Sequence, residues 1–269
     1  MLPRIVSVWK EIGETPLQAL TRLRSTAPEL SAVPLTYAGR LDPMAEGRLL
    51  VLVGDECKRQ TAYRNLDKEY EIEVLLDIAS DTGDVLGMPH AERGHRQASL
   101  PALKRILRKE IGAKTVPYPH FSSKTVHGKP LFLHALEGTL DTITIPTHTE
   151  NIYAMRLTGI ASLSTEALRE RIDWMLARAP RDDAETKRLG ADFRQDAIRT
   201  AWSRLFVAAP EKTYTVLSLR VTCASGTYMR SLAERIGVAL GTRALALFIR
   251  RTRVGRHARL LPFWLREYR

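Results

Sequence analysis

Cysteine is nearly missing from this chain of 269 residues, which has only Cys57 and Cys223, far apart and outside any C-x-x-C pattern. This spacing argues against a disulfide framework and a zinc ribbon, and it is typical of the reducing cytosol. The seven histidines show no metal-ligand spacing, because His127 and His134 stand too far apart for an H-E-x-x-H helix. We therefore expect no metal site and a cytoplasmic location.

Long apolar runs are missing as well. The longest clean stretch is LLVLVG at 49–54, far shorter than a membrane span. The N-terminal residues MLPRIVSVWKEIG contain no long apolar region followed by a small-residue cleavage site, so they do not form a signal peptide. We expect no membrane partner. The hydrophobic content of 44% is nevertheless enough to bury a core.

Acidic residues are too few to balance the basic ones. The chain has 41 Lys and Arg against 30 Asp and Glu, a formal net charge of +11. Such an excess bears on the partners of a protein rather than on its fold, and nucleic acid is the commonest polyanionic partner. A surface that is basic only for solubility is the alternative interpretation.

Strand-like and helix-like segments are intermixed without a regular βαβ rhythm. This arrangement favours an α+β fold with a mixed or antiparallel sheet and flanking helices. The three prolines and one glycine of 116–130 predict an extended loop. The patterns predict helices over 16–26 and 100–109, and strands over 4–9, 49–53, 69–78, 142–146, 152–158 and 213–223.

Residues 164–206 predict a helical hairpin inserted between two neighbouring strands. Leu168, Ile172 and Met175 form an apolar stripe on the first helix, and Pro180 ends it. The stripe of the second helix is Leu189, Phe193, Ala197 and Ala201. With nine basic and eight acidic residues, the hairpin is not an evident RNA arm. Docking of a protein partner, or plain decoration, is the interpretation we favour.

Three short segments carry residues suited to chemistry. In YAGRLDPMAEGRLLVLVG (37–54), Asp42 precedes a proline among three glycines, although an Asp-Pro step alone also suits a helix start. In DKEYEIEV (67–74), Lys68 and Tyr70 share one face of a strand, where a tyrosine can stack on a base and a lysine can meet a phosphate. In VTCASGTYMRSLAERIG, Arg230 lies in the first turn of a helix, against its dipole, so it calls for a carboxylate or phosphate partner.

Five motifs in order, covering most of residues 1–255, resemble the TruB family of tRNA pseudouridine synthases. They are the L-D-P step at Asp42, the K-x-Y step at Lys68 to Tyr70, the G-K-P-L loop at Gly128 to Leu131, the G-T-Y-x-R segment ending at Arg230, and an apolar residue before a double arginine, Ile249 before Arg250 and Arg251.

The resemblance implies the pseudouridine synthase catalytic fold and conversion of uridine to pseudouridine in the T loop of tRNA, at position 55, without a cofactor. Asp42 would be the nucleophile, and sequence leaves open whether it attacks C1′ of the ribose or C6 of the base. Arg230 would hold Asp42 ionised, and Tyr70 would stack beneath a flipped-out uracil. Lys129, Ile249 and Arg250 would complete the RNA site. We expect a monomer.

The chain departs from the family pattern at several places. Tyr37 stands where the family has a histidine, and Arg40 creates the G-R-L-D sequence of the RluA-like and RsuA-like synthases. The helical hairpin is not part of the usual bacterial pattern. Residues 256–269 predict a basic tail and leave no room for the family's C-terminal PUA domain. The rivals are an RluA-like or RsuA-like enzyme with another RNA target and a tRNA-remodelling protein without catalysis.

The first test concerns Arg40. In the RluA-like enzymes the matching arginine enters the space that a flipped base vacates, so we expect Arg40→Ala to slow turnover on tRNA, because an unfilled stack favours return of the base. The measurement is pseudouridine formation under single-turnover conditions. Activity within about twofold of the unmodified protein would reject the role and favour a surface arginine on phosphate.

Overall fold

The structure is a computed structural model that describes residues 2–91, 99–179, 194–258 and 263–268. Across these ranges, no helix combines the length and apolar character needed to cross a membrane. The helices are α1 (Pro16–Thr26), α2 (Gln60–Arg64), α3 (Leu100–Arg108), α4 (Leu131–Leu136), α5 (Thr165–Arg178), α6 (Gln195–Ala208) and α7 (Met229–Ala239). The strands are β1 (Ile5–Lys10), β2 (Leu35–Ala38), β3 (Glu46–Val53), β4 (Asp67–Leu76), β5 (Ile78–Ser80), β6 (Pro89–Ala91), β7 (Gly112–Pro117), β8 (Thr125–Val126), β9 (Lys129–Pro130), β10 (Thr147–Ser164), β11 (Thr213–Cys223), β12 (Ala244–His257) and β13 (Trp264–Glu267).

One large sheet organises the molecule and confirms the predicted mixed α+β fold. Its strands run in the order β1-β3-β12-β4-β11-β10-β7, with β2 added to β3 and β13 added to β12. Neighbouring strands pair antiparallel except β3 and β12, which pair parallel. Strands β5 and β6 pair separately, as do β8 and β9. The parallel contact brings the middle of β12 beside the start of β3, directly after the turn that contains Asp42.

Local sequence chemistry accounts for the elements that were predicted well. Helix α1 begins with a capping box, in which Thr15 accepts from the backbone of Gln18 while the Gln18 side chain accepts from the backbone of Thr15, and Pro16 follows as the first helical residue. Strand β11 has the predicted bounds, 213–223. Strand β4 buries alternate residues over its first half, as its pattern predicts.

The strand predicted over 142–146 is wrong. A short 3-10 turn occupies Leu140–Thr142, and pairing starts only at Thr147, which faces Pro117 in β7. The β-branched residues of this segment favour a strand, but β7 ends at Pro117 and offers them no neighbour. Strand formation requires a pairing partner as well as propensity, which is why this prediction failed.

The predicted insertion is present as α5 and α6, between the paired strands β10 and β11. The first stripe is confirmed, since Leu168, Ile172 and Met175 are all buried. The second is corrected, because α6 buries the face one position further on, and Leu189 and Phe193 lie outside the described residues. The buried residues of α6 are Gln195, Ile198, Trp202, Leu205 and Phe206. Both helices contribute to the main hydrophobic core together with β4, β11, β12 and α7.

The C-terminal segment is more than the basic tail that was predicted over 256–269. Strand β13 returns along β12 and pairs Glu267 with Gly255 and Trp264 with His257. Tyr268 then packs its ring edge-on against Tyr63, with 5.8 Å between ring centroids. The segment therefore extends the sheet at the end of β12, where β3 no longer pairs.

The closeness of β3 and β12 depends on a glycine. Gly47 pairs with Arg251 and has φ +119°, a conformation that other residues avoid. A Cβ at this position would lie 2.3 Å from the carbonyl oxygen of Arg251 and 2.7 Å from its nitrogen. Any side chain here would push the two strands apart.

We expect Gly47→Ala to lower the free energy of unfolding by about 2–5 kcal/mol, because backbone strain and a clash with backbone atoms act together. The matched control is Gly138→Ala, with φ +68° and no described atom within 4 Å of the added Cβ, which should cost only about 1–2 kcal/mol. Urea denaturation measures both. Equal losses would mean that the contact with Arg251 is unimportant.

Candidate active site

A cleft of about 1580 Å³ lies across one side of the large sheet. Several elements meet there, among them β2 and the turn after it, β4, the turn after β5, the loop before α4, the start of α7, and β12. The lining includes Tyr37, Arg40, Asp42, Lys68, Tyr70, Thr82, Asp84, Phe121, Arg194, Arg230, Ile249 and Arg251.

Asp42 starts a tight turn rather than a helix. The N–H of Ala45 donates to the Asp42 carbonyl at 3.0 Å, with Pro43 in the second position of the turn, which its fixed φ suits. The buried Lys10 ammonium donates to the carbonyl of Ala45 at 2.5 Å and lies 3.5 Å from that of Pro43. Burial lowers the pKa of Lys10 to about 8. The Lys10 ammonium therefore stabilises this turn through its carbonyl groups, which fixes the direction of the Asp42 side chain.

Arg230 has the carboxylate partner that its place in the first turn of α7 predicts, and this partner is Asp42. Its Nε donates to Asp42 Oδ2 at 2.8 Å, and its terminal nitrogens donate to the carbonyls of Thr82 (2.6 Å) and Phe121 (3.0 Å). The arginine side chain is 7% exposed and that of Asp42 is 43% exposed. A rigid buried cation thus holds one carboxylate oxygen while the carboxyl group stays open to the cleft.

Sequence reasoning missed a second carboxylate, Asp84. Its Oδ2 lies 3.6 Å from Arg230 Nε, and its Oδ1 accepts from the Thr82 hydroxyl at 2.7 Å and the Leu86 N–H at 2.9 Å. Burial raises the pKa of Asp84 to about 6, although Arg230 acts in the opposite direction. Burial alone would lower the pKa of Arg230, but the charges of Asp42 and Asp84 raise it overall. The signal that could have identified it is the sequence SDTGD at 80–84, a turn pattern that contains two carboxylates.

Tyr70 and Ile249 lie diagonally across from each other on neighbouring strands and form part of the cleft wall. In the pairing of β4 with β12, Ile249 faces Ile72 and Arg251 faces Tyr70. Tyr70 is 9% exposed, and burial raises the pKa of its hydroxyl, an effect that the charge of Arg251 opposes. The phenol is therefore neutral at neutral pH. Asp42, Tyr70 and Arg230, predicted from three separate segments, all line one cleft.

Arg250 is not in the cleft, whereas its neighbour Arg251 is. Arg250 ion-pairs with Glu46 at 2.5 Å and lines a different pocket of the sheet. Arg251 is 1% exposed and donates to the carbonyls of Arg48 (2.7 Å) and Arg40 (3.0 Å). The alternation of side chains along a strand could have identified this, since residues 249 and 251 must share a face.

Lys68 and Lys129, both predicted to contact RNA, each bind other groups of the protein. Lys68 does share a face with Tyr70, but it is 4% exposed and its ammonium donates to the carbonyls of Arg64 (2.7 Å) and Leu66. Burial, assisted by the charge of Arg251, lowers the pKa of Lys68 to about 7. Lys129 forms an ion pair with Glu137 and is not among the residues that line the cleft. Lys68 thus stabilises the wall of the cleft, and a role for Lys129 in RNA binding stays a prediction.

The two residues that depart from the family pattern both lie at the cleft. Tyr37 is half-buried on β2, and its carbonyl accepts from the Gln60 side chain at 2.9 Å. Arg40 is exposed in the turn that follows, on the approach to Asp42. Both positions are open to a nucleotide that enters the cleft.

Comparison with solved structures shows that the fold is shared. A Cbf5-Nop10-Gar1 complex contains a chain that matches 93% of this one with TM-score 0.55 and 17% identity, over 48% of its own length. A structure of an H/ACA RNP bound to a substrate RNA containing 2'-deoxyuridine matches with TM-score 0.52 and 16% identity, over 93% of this chain and 47% of that one. The molecule shares the fold of these two chains.

Comparison of sequences identifies the family. Residues 30–170 match the TruB family pseudouridylate synthase (N terminal domain). Similar curated proteins are the tRNA pseudouridine synthase B of Listeria welshimeri serovar 6b, 27% identical over 93% of this chain and 66% of that protein, and of Xanthomonas campestris pv. campestris strain 8004, 29% identical over 87% and 57%. This chain belongs to the TruB family. It spans roughly 57–66% of the length of these relatives.

The buried Asp84 carboxyl predicts a pH dependence of stability. Its pKa in the folded protein is higher than in the unfolded chain, so the folded protein binds the extra proton and loses stability as pH rises from about 4 to about 6. Asp84→Asn cannot lose that proton. From pH 4.5 to 7.5 the difference in unfolding free energy should therefore shift in favour of the variant by about 2 kcal/mol.

Urea denaturation of the unmodified protein and the variant at both pH values measures this shift. Asp55→Asn is the control, because that carboxylate is 94% exposed. If the unfolding free energies of Asp84→Asn and the unmodified protein change by the same amount between the two pH values, the buried environment assigned to Asp84 is wrong.

Proposed function

We propose that this protein converts uridine to pseudouridine in tRNA, at position 55 of the T loop. The observation that carries the proposal is the 2.8 Å ion pair of Asp42 with the buried Arg230, in a cleft that Tyr70 also lines. Membership of the TruB family and relatives named tRNA pseudouridine synthase B support the reaction and the substrate.

The target nucleotide must leave its stack to enter the cleft. Extrusion of a base costs a few kcal/mol, which contacts in the pocket must offset. Tyr70 offers an aromatic ring and Ile249 an aliphatic surface for the uracil. Tyr37 and Arg40, at the approach to Asp42, suit contact with the extruded nucleotide or with the space that it vacates.

Asp42 is the nucleophile in this proposal. Arg230 occupies Oδ2, while Oδ1 makes no hydrogen bond within the described part of the chain. An ionised oxygen that is held in place and partly desolvated is suited to attack an electrophilic carbon. Attack at C1′ of the ribose and attack at C6 of the base lead to the same isomer.

The reaction is balanced without an oxidant or a reductant. The N1–C1′ bond breaks, the base turns, the C5–C1′ bond forms, and the proton on C5 is replaced by one on N1. Tyr70 is neutral at neutral pH, so we do not assign it the role of a phenolate base. Its roles in this proposal are to stack on the uracil and to form a hydrogen bond with the uracil or with the group that accepts the C5 proton.

Affinity for RNA rests on charge. A formal net charge of +11 favours contact with phosphates throughout a folded tRNA. Binding should therefore weaken steeply as salt releases these contacts. The ion pair at the active site, of which only the guanidinium is buried, carries the chemistry rather than the affinity.

Asp42→Asn is the direct test of the proposal. The amide keeps the shape of the side chain but is a far weaker nucleophile, so pseudouridine formation should fall by about 10³-fold or more, while binding of tRNA stays within a few fold. The measurements are mapping of pseudouridine at single-nucleotide resolution in unmodified tRNA transcripts and filter binding of the same transcripts.

The control is Asp141→Asn, an exposed carboxylate outside the cleft. An unmodified protein that binds tRNA but forms no pseudouridine would favour a remodelling protein without catalysis. A product at another position, or in another RNA, would overturn the assignment of the substrate.

A further inference from the structure

The inserted helices occupy the place of a simple hairpin turn. Strands β10 and β11 remain paired up to Ser164 and Thr213, and α5 and α6 connect these two ends. The N–H of Thr165 donates to the carbonyl of Lys212 at 3.0 Å and closes the base of the insertion. A short turn would be enough to join the strands, so the helices need another explanation.

Helix α6 contacts the turn that follows β5, residues 81–88. The indole N–H of Trp202 is fully buried and donates to the carbonyl of Val85 at 3.1 Å. Arg194, directly before α6, forms a forked ion pair with Asp81 at 2.6 and 3.2 Å. Asp81 in turn accepts from the N–H of Met88 at 2.8 Å and so closes the turn.

This turn and a second segment hold the active-site arginine. Within residues 81–88, the carbonyl of Thr82 accepts from Arg230, and Asp84 lies 3.6 Å from its Nε. The second segment supplies the carbonyl of Phe121. The guanidinium of Arg194 lies over the ring of Phe121, 4.9 Å from its centroid. A single side chain therefore contacts both segments whose carbonyls hold Arg230.

The backbone of Arg194 is unusual. It has φ 54° and ψ 31°, the left-handed conformation that is unfavourable for a residue with a long side chain. Such a conformation persists when the surroundings over-determine it, and it is found preferentially at functional positions. The ion pair with Asp81 and the contact with Phe121 are the surroundings that maintain it here.

We propose that the insertion is part of the active-site support, and that Arg194 is a positioning residue that clamps residues 81–88 to Phe121 and so fixes Arg230 against Asp42. The inference rests on the proposed function as far as the reaction is concerned. It differs from the expectation of a docking arm or decoration, because these contacts of the insertion are directed to the catalytic side of the molecule.

Arg194→Ala removes the clamp without touching the substrate's reactive atoms. Small displacements of catalytic groups cost about 10- to 100-fold in rate, so we expect the single-turnover rate to fall at least about tenfold, with binding of an unmodified tRNA transcript within about twofold. Arg194→Lys keeps the charge but not the two-pronged ion pair with Asp81, so its single-turnover rate should be intermediate. The double variant Asp81→Ala/Arg194→Ala should react no more slowly than the slower single variant, because both substitutions break the same ion pair.

The matched control is Arg171→Ala. Arg171 also belongs to the insertion and ion-pairs with the sheet through Glu73, but it lines the other pocket with Phe248 and Arg250. It should leave the rate unchanged within about twofold. Equal slowing by Arg171→Ala and Arg194→Ala would overturn the proposal, since it would indicate a general effect of the insertion on packing.

A readout that does not depend on activity separates this inference from the proposed function. Amide hydrogen exchange in peptides that cover residues 78–91 should become faster in Arg194→Ala and not in Arg171→Ala. Unchanged exchange in Arg194→Ala, or an unchanged rate in that variant, would refute the clamp. Faster exchange in a protein that forms no pseudouridine would refute only the proposed reaction.

Discussion

A guanidinium removed from water is the constraint on which the rest of the site depends. Arg230 is 7% exposed, and a charge so buried is costly unless every polar atom of the group is satisfied. Asp42, Asp84 and the carbonyls of Thr82 and Phe121 meet that requirement, and they come from three separate segments of the chain. The need to satisfy one cation thereby brings the nucleophile, the turn after β5 and the loop before α4 to the same place.

Other buried cations around the cleft are also held by backbone carbonyls, although Nη2 of Arg251 is buried and has no hydrogen-bond partner among the described residues. Lys10, Lys68 and Arg251 donate to backbone carbonyls of a turn, a helix end and a strand, and these hydrogen bonds fix the local backbone geometry. Burial lowers the pKa values of Lys10 and Lys68 to about 8 and about 7. The basic residues of this region therefore have two roles. Exposed charges attract RNA in the proposed function, and buried charges stabilise the walls of the cleft.

The insertion shows how a structural addition can become tied to a site by positioning residues of other segments. Its apolar face enters the main core through residues such as Ile172 and Trp202, so its position relative to the sheet is fixed. That fixed position is what allows Arg194 to act on residues 81–88 and on Phe121. The insertion has nearly equal numbers of basic and acidic residues, which argues against an RNA arm. This composition is consistent with a role in contacts to the rest of the molecule.

The sequence by itself determined the elements with strong local signals, such as α1 with its capping box and β11, and it determined the three segments that carry Asp42, Tyr70 and Arg230. It also contained the alternation that separates Arg250 from Arg251. Only the tertiary structure decided that Asp84 completes the environment of Arg230, that Lys68 is turned to carbonyls, that residues after 263 add a strand, and that Arg194 reaches the catalytic side. The physical reason is that propensity and periodicity act over a few residues, whereas the satisfaction of a buried charge and the pairing of a strand depend on groups that are distant in the chain.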